Sequence, residues 1–215
     1  METNILKALI NLAKKPNNKI EEIYKSLVRT NSMGDALEYY VKDLFCDSFA
    51  EKSVKTKNRI YNRFFSYIGN QNNPPDLIIR NGDAIEVKKL ETQARGIALN
   101  SSYPKNKLYA DSPMITEACR KCEIWTEKDI MYIVGNVVNR KLLKLWIVYD
   151  DCYAADRMIY EKIKDSISEG LKTIYSIELV ETNEIGRVNK VDPLGITNLR
   201  VRGMWHIDSP AKVFE

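Results

Sequence analysis

Four cysteines (Cys46, Cys119, Cys122 and Cys152) are too few and too scattered along 215 residues for a disulfide scaffold. Cys119-Arg-Lys-Cys122 has the spacing of half a zinc site. No second cysteine pair completes it, and His206 is the sole histidine, so two thiols on one helix are the plainer expectation. Nothing marks His206 as a catalytic base. No apolar run approaches the ~18 residues needed to span a bilayer. The amino-terminal stretch 1–15 is broken by Lys7 and Asn11 and lacks the cleavage site of a secretory signal. The expectation is a cytoplasmic chain with reduced thiols and no membrane partner. Gly/Ser linkers, low-complexity tracts and internal repeats are missing as well. No Gly-rich phosphate loop or nucleophile elbow is visible, which disfavours a small-molecule enzyme. Charge of one sign is in short supply too. Lys and Arg total 33 against 29 Asp and Glu, a net +4 that permits a polyanionic partner without demanding one.

Hydrophobic residues at 44% and charged residues at 29% make an ordinary globular balance, and the length suits one domain over 1–215. Residues 3–15 and 19–28 read as short helices broken around Pro16-Asn17-Asn18. A stronger helix is expected from Met33 to Phe49. There Leu37, Tyr40, Val41, Leu44, Phe45 and Ser48 recur at helical spacing behind an Asn31-Ser32 cap. Lys52 to Arg63 is a basic stretch, read as a solvated face or an approach to a DNA backbone. Asp76–Arg80, Asn81-Gly82 and Ala84–Leu90 predict strand, tight turn and strand, because Asn-Gly between apolar runs is a strong hairpin signal. Residues 91–113 look irregular. A helix is expected at 113–124, strands at Ile130–Val138 and Leu142–Tyr149, and an amphipathic helix from Ala154 to Tyr175. Short strands and turns follow, including Leu199–Arg202. Helices flanking a central mixed or mostly antiparallel sheet make the fold class α/β or α+β.

The hairpin carries the chemistry. Side chains alternate along a strand, so Glu86 and Lys88 share one face while Ile85 and Val87 take the other. The turn brings Asp76 back toward Glu86, and two carboxylates and an ammonium converge at a sheet edge above apolar residues. Two hard oxygen ligands are what Mg²⁺ takes from a protein while it keeps waters for phosphate contact. A lysine beside them orients or deprotonates a water and neutralises charge during in-line displacement at a phosphodiester. The plainer alternative is a solvated Glu86–Lys88 pair worth roughly a few tenths of a kcal/mol. Lys89 faces the opposite side by alternation, and Asp83 is an ordinary turn residue.

Pro75-Asp76…Glu86-Val87-Lys88 resembles the signature of the PD-(D/E)xK nuclease superfamily. Longer strings are similar to the NgoPII-type restriction endonucleases. They are Asn31-Ser32-Met33-Gly34-Asp35-Ala36-Leu37-Glu38, Leu99-Asn100-Ser101-Ser102-Tyr103-Pro104, Leu108-Tyr109-Ala110-Asp111-Ser112-Pro113 and Arg200-Val201-Arg202-Gly203-Met204-Trp205. The resemblance covers nearly the whole chain. It implies a restriction-endonuclease-like core with a central mixed sheet. It also implies a homodimeric type II enzyme cutting both strands of double-stranded DNA at a short palindrome, GGCC, with Mg²⁺. Asp76 and Glu86 would then hold the metal and Lys88 would serve the attacking water. Glu38 would be a further catalytic acid from the upstream helix. It sits beside Leu37 on the margin of the apolar stripe, which lets it point along the sheet; the alternative is an i,i+4 pair with Lys42 worth ~0.3–0.5 kcal/mol. A two-fold protein matches a palindromic site, and the restriction role implies a separately encoded protective DNA methyltransferase.

Sequence reading needs phosphate grips and base-edge contacts. The stretch 93–107 supplies Gln93, Arg95, Asn100, Ser101, Ser102, Lys105 and Lys107 with few apolar residues, and it is the favoured base reader. Arg200 and Arg202 alternate with Leu199 and Val201, so both guanidiniums leave one strand face. They either meet DNA or pair with nearby acids. Tyr39, Tyr40, Phe45 and Phe49 are expected in the core or at a dimer interface. Two rival functions stay open: a repair or structure-specific nuclease with the same site chemistry, and a non-catalytic DNA-binding domain.

Overall fold

In a computed structural model of the chain, residues 2–14, 19–20, 24, 33–70, 72–92, 96–99, 102–173 and 185–215 are described, with 33–35 as backbone alone. Most of the helix expected at 19–28 and the Asn31-Ser32 cap lie outside the described residues. Helices α1 (Ile5–Lys14), α2 (Met33–Cys46) and α3 (Val54–Phe64) lead into strands β1 (Phe65–Asn70), β2 (Asn73–Ile79) and β3 (Ala84–Leu90). Short strands β4 (Ile97–Ala98) and β5 (Leu108–Tyr109), helix α4 (Glu117–Arg120) and strand β6 (Glu127–Lys128) precede the long pair β7 (Ile130–Val138) and β8 (Lys141–Tyr149). A 3₁₀ turn at Asp150–Cys152, helix α5 (Arg157–Lys172), strands β9 (Gly186–Val188), β10 (Leu199–Val201) and β11 (His206–Ile207), and helix α6 (Pro210–Phe214) follow. No helix among the described residues is long and apolar enough to cross a membrane.

The main sheet has five strands in the order β1-β2-β3-β7-β8. β3 and β7 run parallel and the other neighbours antiparallel, which makes the mixed sheet that the sequence predicts. The predicted hairpin is present. Ile79 accepts the Gly82 N–H at 2.9 Å, and Asn81 takes the left-handed conformation at φ 55, which asparagine tolerates.

Helix α2 covers one sheet face because its apolar residues recur every three or four positions. Leu37, Val41 and Leu44 meet Leu77, Ile79, Ile85, Val87, Met131 and Ile133 in one buried cluster. The approach is close: a Cβ on Gly135 would lie 2.7 Å from a Leu37 methyl carbon. Tyr40 and Phe45 are core, while Tyr39 and Phe49 pack partly buried against it. The helix stops at Cys46, short of Phe49, where Asp47 turns left-handed at φ 49.

The basic stretch is the largest departure from expectation. It forms α3, capped by the Ser53 side chain accepting from the Thr56 N–H. The Arg80 guanidinium meets the carbonyls at its other end, including Asn62 O at 2.8 Å. Lys57 does not reach solvent. It points inward to the fully buried Asp43, which also accepts from Tyr24 Oη at 2.6 Å, Tyr61 Oη at 2.7 Å and Ser48 Oγ at 2.5 Å. Burial and the Asp43 charge push both tyrosines far above their usual range. Other differences are smaller. The helix expected at 113–124 shrinks to α4 behind a Thr116 cap, and the one expected at 154–175 is α5, capped by Asp156. Residues 91–113 are not all irregular, since β4 and β5 pair with the distant β11 and β6.

Truncating Asp43 strands the Lys57 ammonium in the core. Asp43→Ala should cost about 3–5 kcal/mol, the usual loss when one partner of a buried ion pair is removed. Urea unfolding of the variant checks this, and a midpoint equal to that of the unmodified chain would show the network to be dispensable.

Candidate active site

Strand β3 divides its side chains between two environments. Ile85 and Val87 enter the cluster under α2, whereas Ala84 and Leu90 belong to clusters on the other face, the face that Glu86 and Lys88 share by alternation. The β2–β3 ladder pairs Ile78 with Ala84 and Leu77 with Ile85. Further along, Pro74 and Pro75, joined by a cis peptide, have no N–H to offer. Asp76 fills in for the ladder there: its Oδ2 accepts the Val87 N–H at 2.6 Å, which carries the carboxylate to the Glu86 side. Gly69 permits the crowding, since a Cβ on it would collide with the Pro75 carbonyl.

Lys88 Nζ donates to Glu86 Oε1 at 2.6 Å, while Glu86 Oε2 is buried with no hydrogen-bond partner. Burial, then the Glu86 and Glu38 charges, hold the Asp76 carboxyl well above the usual range against the pull of Lys88 and the Val87 N–H. Burial pulls the Lys88 pKa down, but Glu86, Asp76 and Glu38 together outweigh it and leave the ammonium favoured. Glu38 pairs with Lys42 at 3.6 Å, and its charge reaches Asp76 and Lys88.

A cavity of about 540 Å³ lies over these groups. Its wall includes Asp76, Glu86 and Lys88, Ser102 and Lys105 from the loop after β4, Tyr132 of β7, Arg202, and Asn70, Asn72 and Asn73 of the β1–β2 hairpin. Of the residues proposed to meet DNA, Gln93, Arg95, Asn100 and Ser101 lie outside the described residues. Ser102, Lys105 and Arg202 reach the cavity. Lys107 is turned to Asp129 at 2.6 Å and Glu127 at 3.7 Å. Arg200 sits exposed on β10 opposite Arg187, and Arg202 lies just past the end of that strand.

Three contributors escaped the sequence reading. Tyr132 stands directly across from Glu86 on β7, a neighbour that only the strand order reveals. The Asn70–Asn73 run carried no motif. Asp150 ends up in the turn after β8, 1% exposed, with neither carboxylate oxygen hydrogen-bonded. Burial first and the Glu86 charge second raise its pKa to about 10, with Lys105 acting against them.

That shift predicts a pH dependence. The native state keeps the Asp150 proton that the unfolded chain releases near 3.8. The associated stability is complete below that value and is lost as pH rises toward about 10. Asp150→Asn should therefore flatten the decline in urea midpoint between about pH 6 and about pH 9 in EDTA; an unchanged slope would place the titrating group elsewhere.

The donor set suits a small hard cation. Asp76 and Glu86 present carboxylate oxygens on one wall, and the unpartnered Glu86 Oε2 is what a bound cation would satisfy. Among the described residues no three His, Cys, Asp or Glu side chains gather to hold a metal by themselves. A cation at Asp76 and Glu86 would therefore complete its shell from water and phosphate, as Mg²⁺ does. Cys119 is a buried free thiol, and Cys122 lies past the end of α4, not on the helix.

Residues 3–215 match the family model described as NgoPII restriction endonuclease. The type II restriction enzyme NgoPII of Neisseria gonorrhoeae is 53% identical over 212 residues, which cover 98% of this chain and 76% of that protein. No solved structure matches. The cavity with its two carboxylates and lysine thus sits in a chain that is similar to a restriction enzyme from end to end, and the chain belongs to the NgoPII restriction endonuclease family.

Proposed function

We propose that this restriction endonuclease hydrolyses one phosphodiester in each strand of a short palindrome in double-stranded DNA, GGCC, with Mg²⁺ and as a homodimer. The observation that carries the reading is the convergence of Asp76, Glu86 and Lys88 on one cavity, with a buried Glu86 oxygen left unpartnered. Asp76 and Glu86 hold the metal. Mg²⁺ when bound supplies a Lewis acid for the phosphate and the attacking water. Lys88, which donates to Glu86 at 2.6 Å, orients or deprotonates that water and neutralises phosphate charge. Glu38 adds negative charge from α2 behind the pair.

The water oxygen bonds to phosphorus as one P–O ester bond breaks. The water's proton passes to solvent, and the departing oxygen takes a proton from solvent to leave as an alcohol. Arg202 and Ser102 at the cavity wall are placed to grip the backbone beside the scissile bond. Gln93, Arg95, Asn100, Ser101, Lys107 and Arg200 contact DNA farther out. Homodimer formation is supported by α5, which shows Met158, Ile159, Ile163 and Ile167 to solvent as an apolar stripe that a second copy would cover. A cytoplasmic setting with reduced thiols, and a separately encoded methyltransferase protecting host DNA, complete the proposal.

Digestion of phage-length duplex DNA, with an EDTA control and sequencing of the fragment ends, tests it. The expected result is discrete fragments ending within GGCC, Mg²⁺-dependent, and none from Glu86→Ala although that variant still binds DNA. A smear without a shared end sequence would favour a structure-specific nuclease. Cutting by Glu86→Ala would place the metal elsewhere.

A further inference from the structure

Lys105 is the feature of this cavity that the nuclease motif does not include. Its side chain is almost wholly buried, yet the residue forms part of the same wall as Asp76, Glu86 and Lys88. Stability does not explain it, because moving an ammonium out of water costs several kcal/mol unless a counter-charge sits against it. Among the described residues no carboxylate lies within ion-pair distance. Nζ donates only to neutral acceptors, Ser102 Oγ and the Tyr103 carbonyl, the latter at 3.3 Å. An ammonium has three protons to donate, so one is left without a protein acceptor among the described residues.

The surroundings hold this cation in place. Its backbone N–H bonds to Tyr132, and Tyr132 stands across from Glu86 in the β3–β7 register. Tyr103 stacks on Tyr160 of α5 with ring centroids 5.3 Å apart and donates to Glu161 at 2.9 Å. The turn carrying Lys105 is therefore tied to β7 on one side and to α5 on the other. The Glu86 charge favours the ammonium through space. A base reader would need reach and solvent access; Lys105 has neither.

We infer that Lys105 is a second catalytic cation, whose free N–H donates to a non-bridging oxygen of the scissile phosphodiester in the cavity that holds Asp76, Glu86 and Lys88. The inference rests on the nuclease reading of that cavity. Lys105 neither gains nor loses a proton in the step. It offsets the negative charge that concentrates on the phosphoryl oxygens as water adds and the ester oxygen departs, in a site where little solvent competes. Burial lowers its pKa to about 8, which leaves the ammonium predominant at neutral pH, and an incoming phosphate would favour it further.

Lys105→Gln is the discriminating variant, since glutamine retains N–H donors for Ser102 and Tyr103 while removing the charge. Cleavage of a GGCC duplex under single turnover with Mg²⁺, DNA affinity with Ca²⁺, and the sequences of the fragment ends are measured beside the unmodified chain. The expected result is a rate lower by about 10²–10³-fold, as on loss of a transition-state donor, with affinity and cut-site preference retained. A variant that cuts as fast as the unmodified chain overturns the proposal. So does one that loses affinity and cuts at relaxed sites, because that is the behaviour of a base reader. An unmodified chain that never cuts would overturn the nuclease reading and this proposal together, an outcome distinct from either of those. If thermal melting shows that Lys105→Gln does not fold, Lys105→Met, of similar length and uncharged, takes its place with the same outcomes.

Discussion

Two carboxylates withdrawn from water into one cavity repel each other, and the surrounding structure is arranged to hold them together regardless. Burial and the nearby Glu86 charge drive the Asp76 carboxyl toward its protonated form. Lys88 and the Val87 N–H act against that. Such an arrangement opposes stability in the isolated chain and acquires a purpose when a cation and a polyanion enter. The same applies to Lys105, a buried cation with no carboxylate at ion-pair distance among the described residues, while burial keeps the Asp150 carboxyl protonated. Under the proposed reading the ligands such a site would take carry charge of both signs: a divalent cation and a DNA phosphate.

Holding that arrangement requires a rigid frame. Asp76 is fixed by replacing a rung of the β2–β3 ladder, so its position depends on the hairpin register. The register depends on Ile85 and Val87 seating under α2, and α2 depends in turn on the close approach that Gly135 allows. Behind α2, the Asp43 network clamps α3 against it through Lys57 and Tyr61. The parallel β3–β7 pairing sets Tyr132 beside Glu86 and forces a long crossover whose loop delivers Ser102 and Lys105 to the cavity. Family membership and geometry thus describe one object: a nuclease core whose proposed metal-site acids lie at the edge of an over-determined hairpin.

Local pattern made much of this legible in the sequence. Period-two alternation separated Glu86 and Lys88 from Ile85 and Val87, Asn81-Gly82 marked the turn, and period-3.6 spacing marked α2. What stayed hidden depends on pairing between distant segments. Lys57 reads as one more exposed base in a basic run, because the acid that draws it inward lies fourteen residues earlier on another helix. β4 is two residues long and exists only through its contact with β11 more than a hundred positions later. Lys105 looked like a loop base for the same reason: the turn that carries it is tied to β7 and to α5, neither of them a neighbour in sequence.

The central claim, that Asp76 and Glu86 form a divalent-cation site, is most directly tested by titrating Mn²⁺ into the protein, alone and with a GGCC duplex. Bound ion is followed by electron paramagnetic resonance. The account predicts saturable binding, tightened by DNA, that disappears in both Asp76→Ala and Glu86→Ala while the fold persists by circular dichroism. Binding of equal strength in either variant, or no saturable binding to the unmodified chain with DNA present, would contradict it.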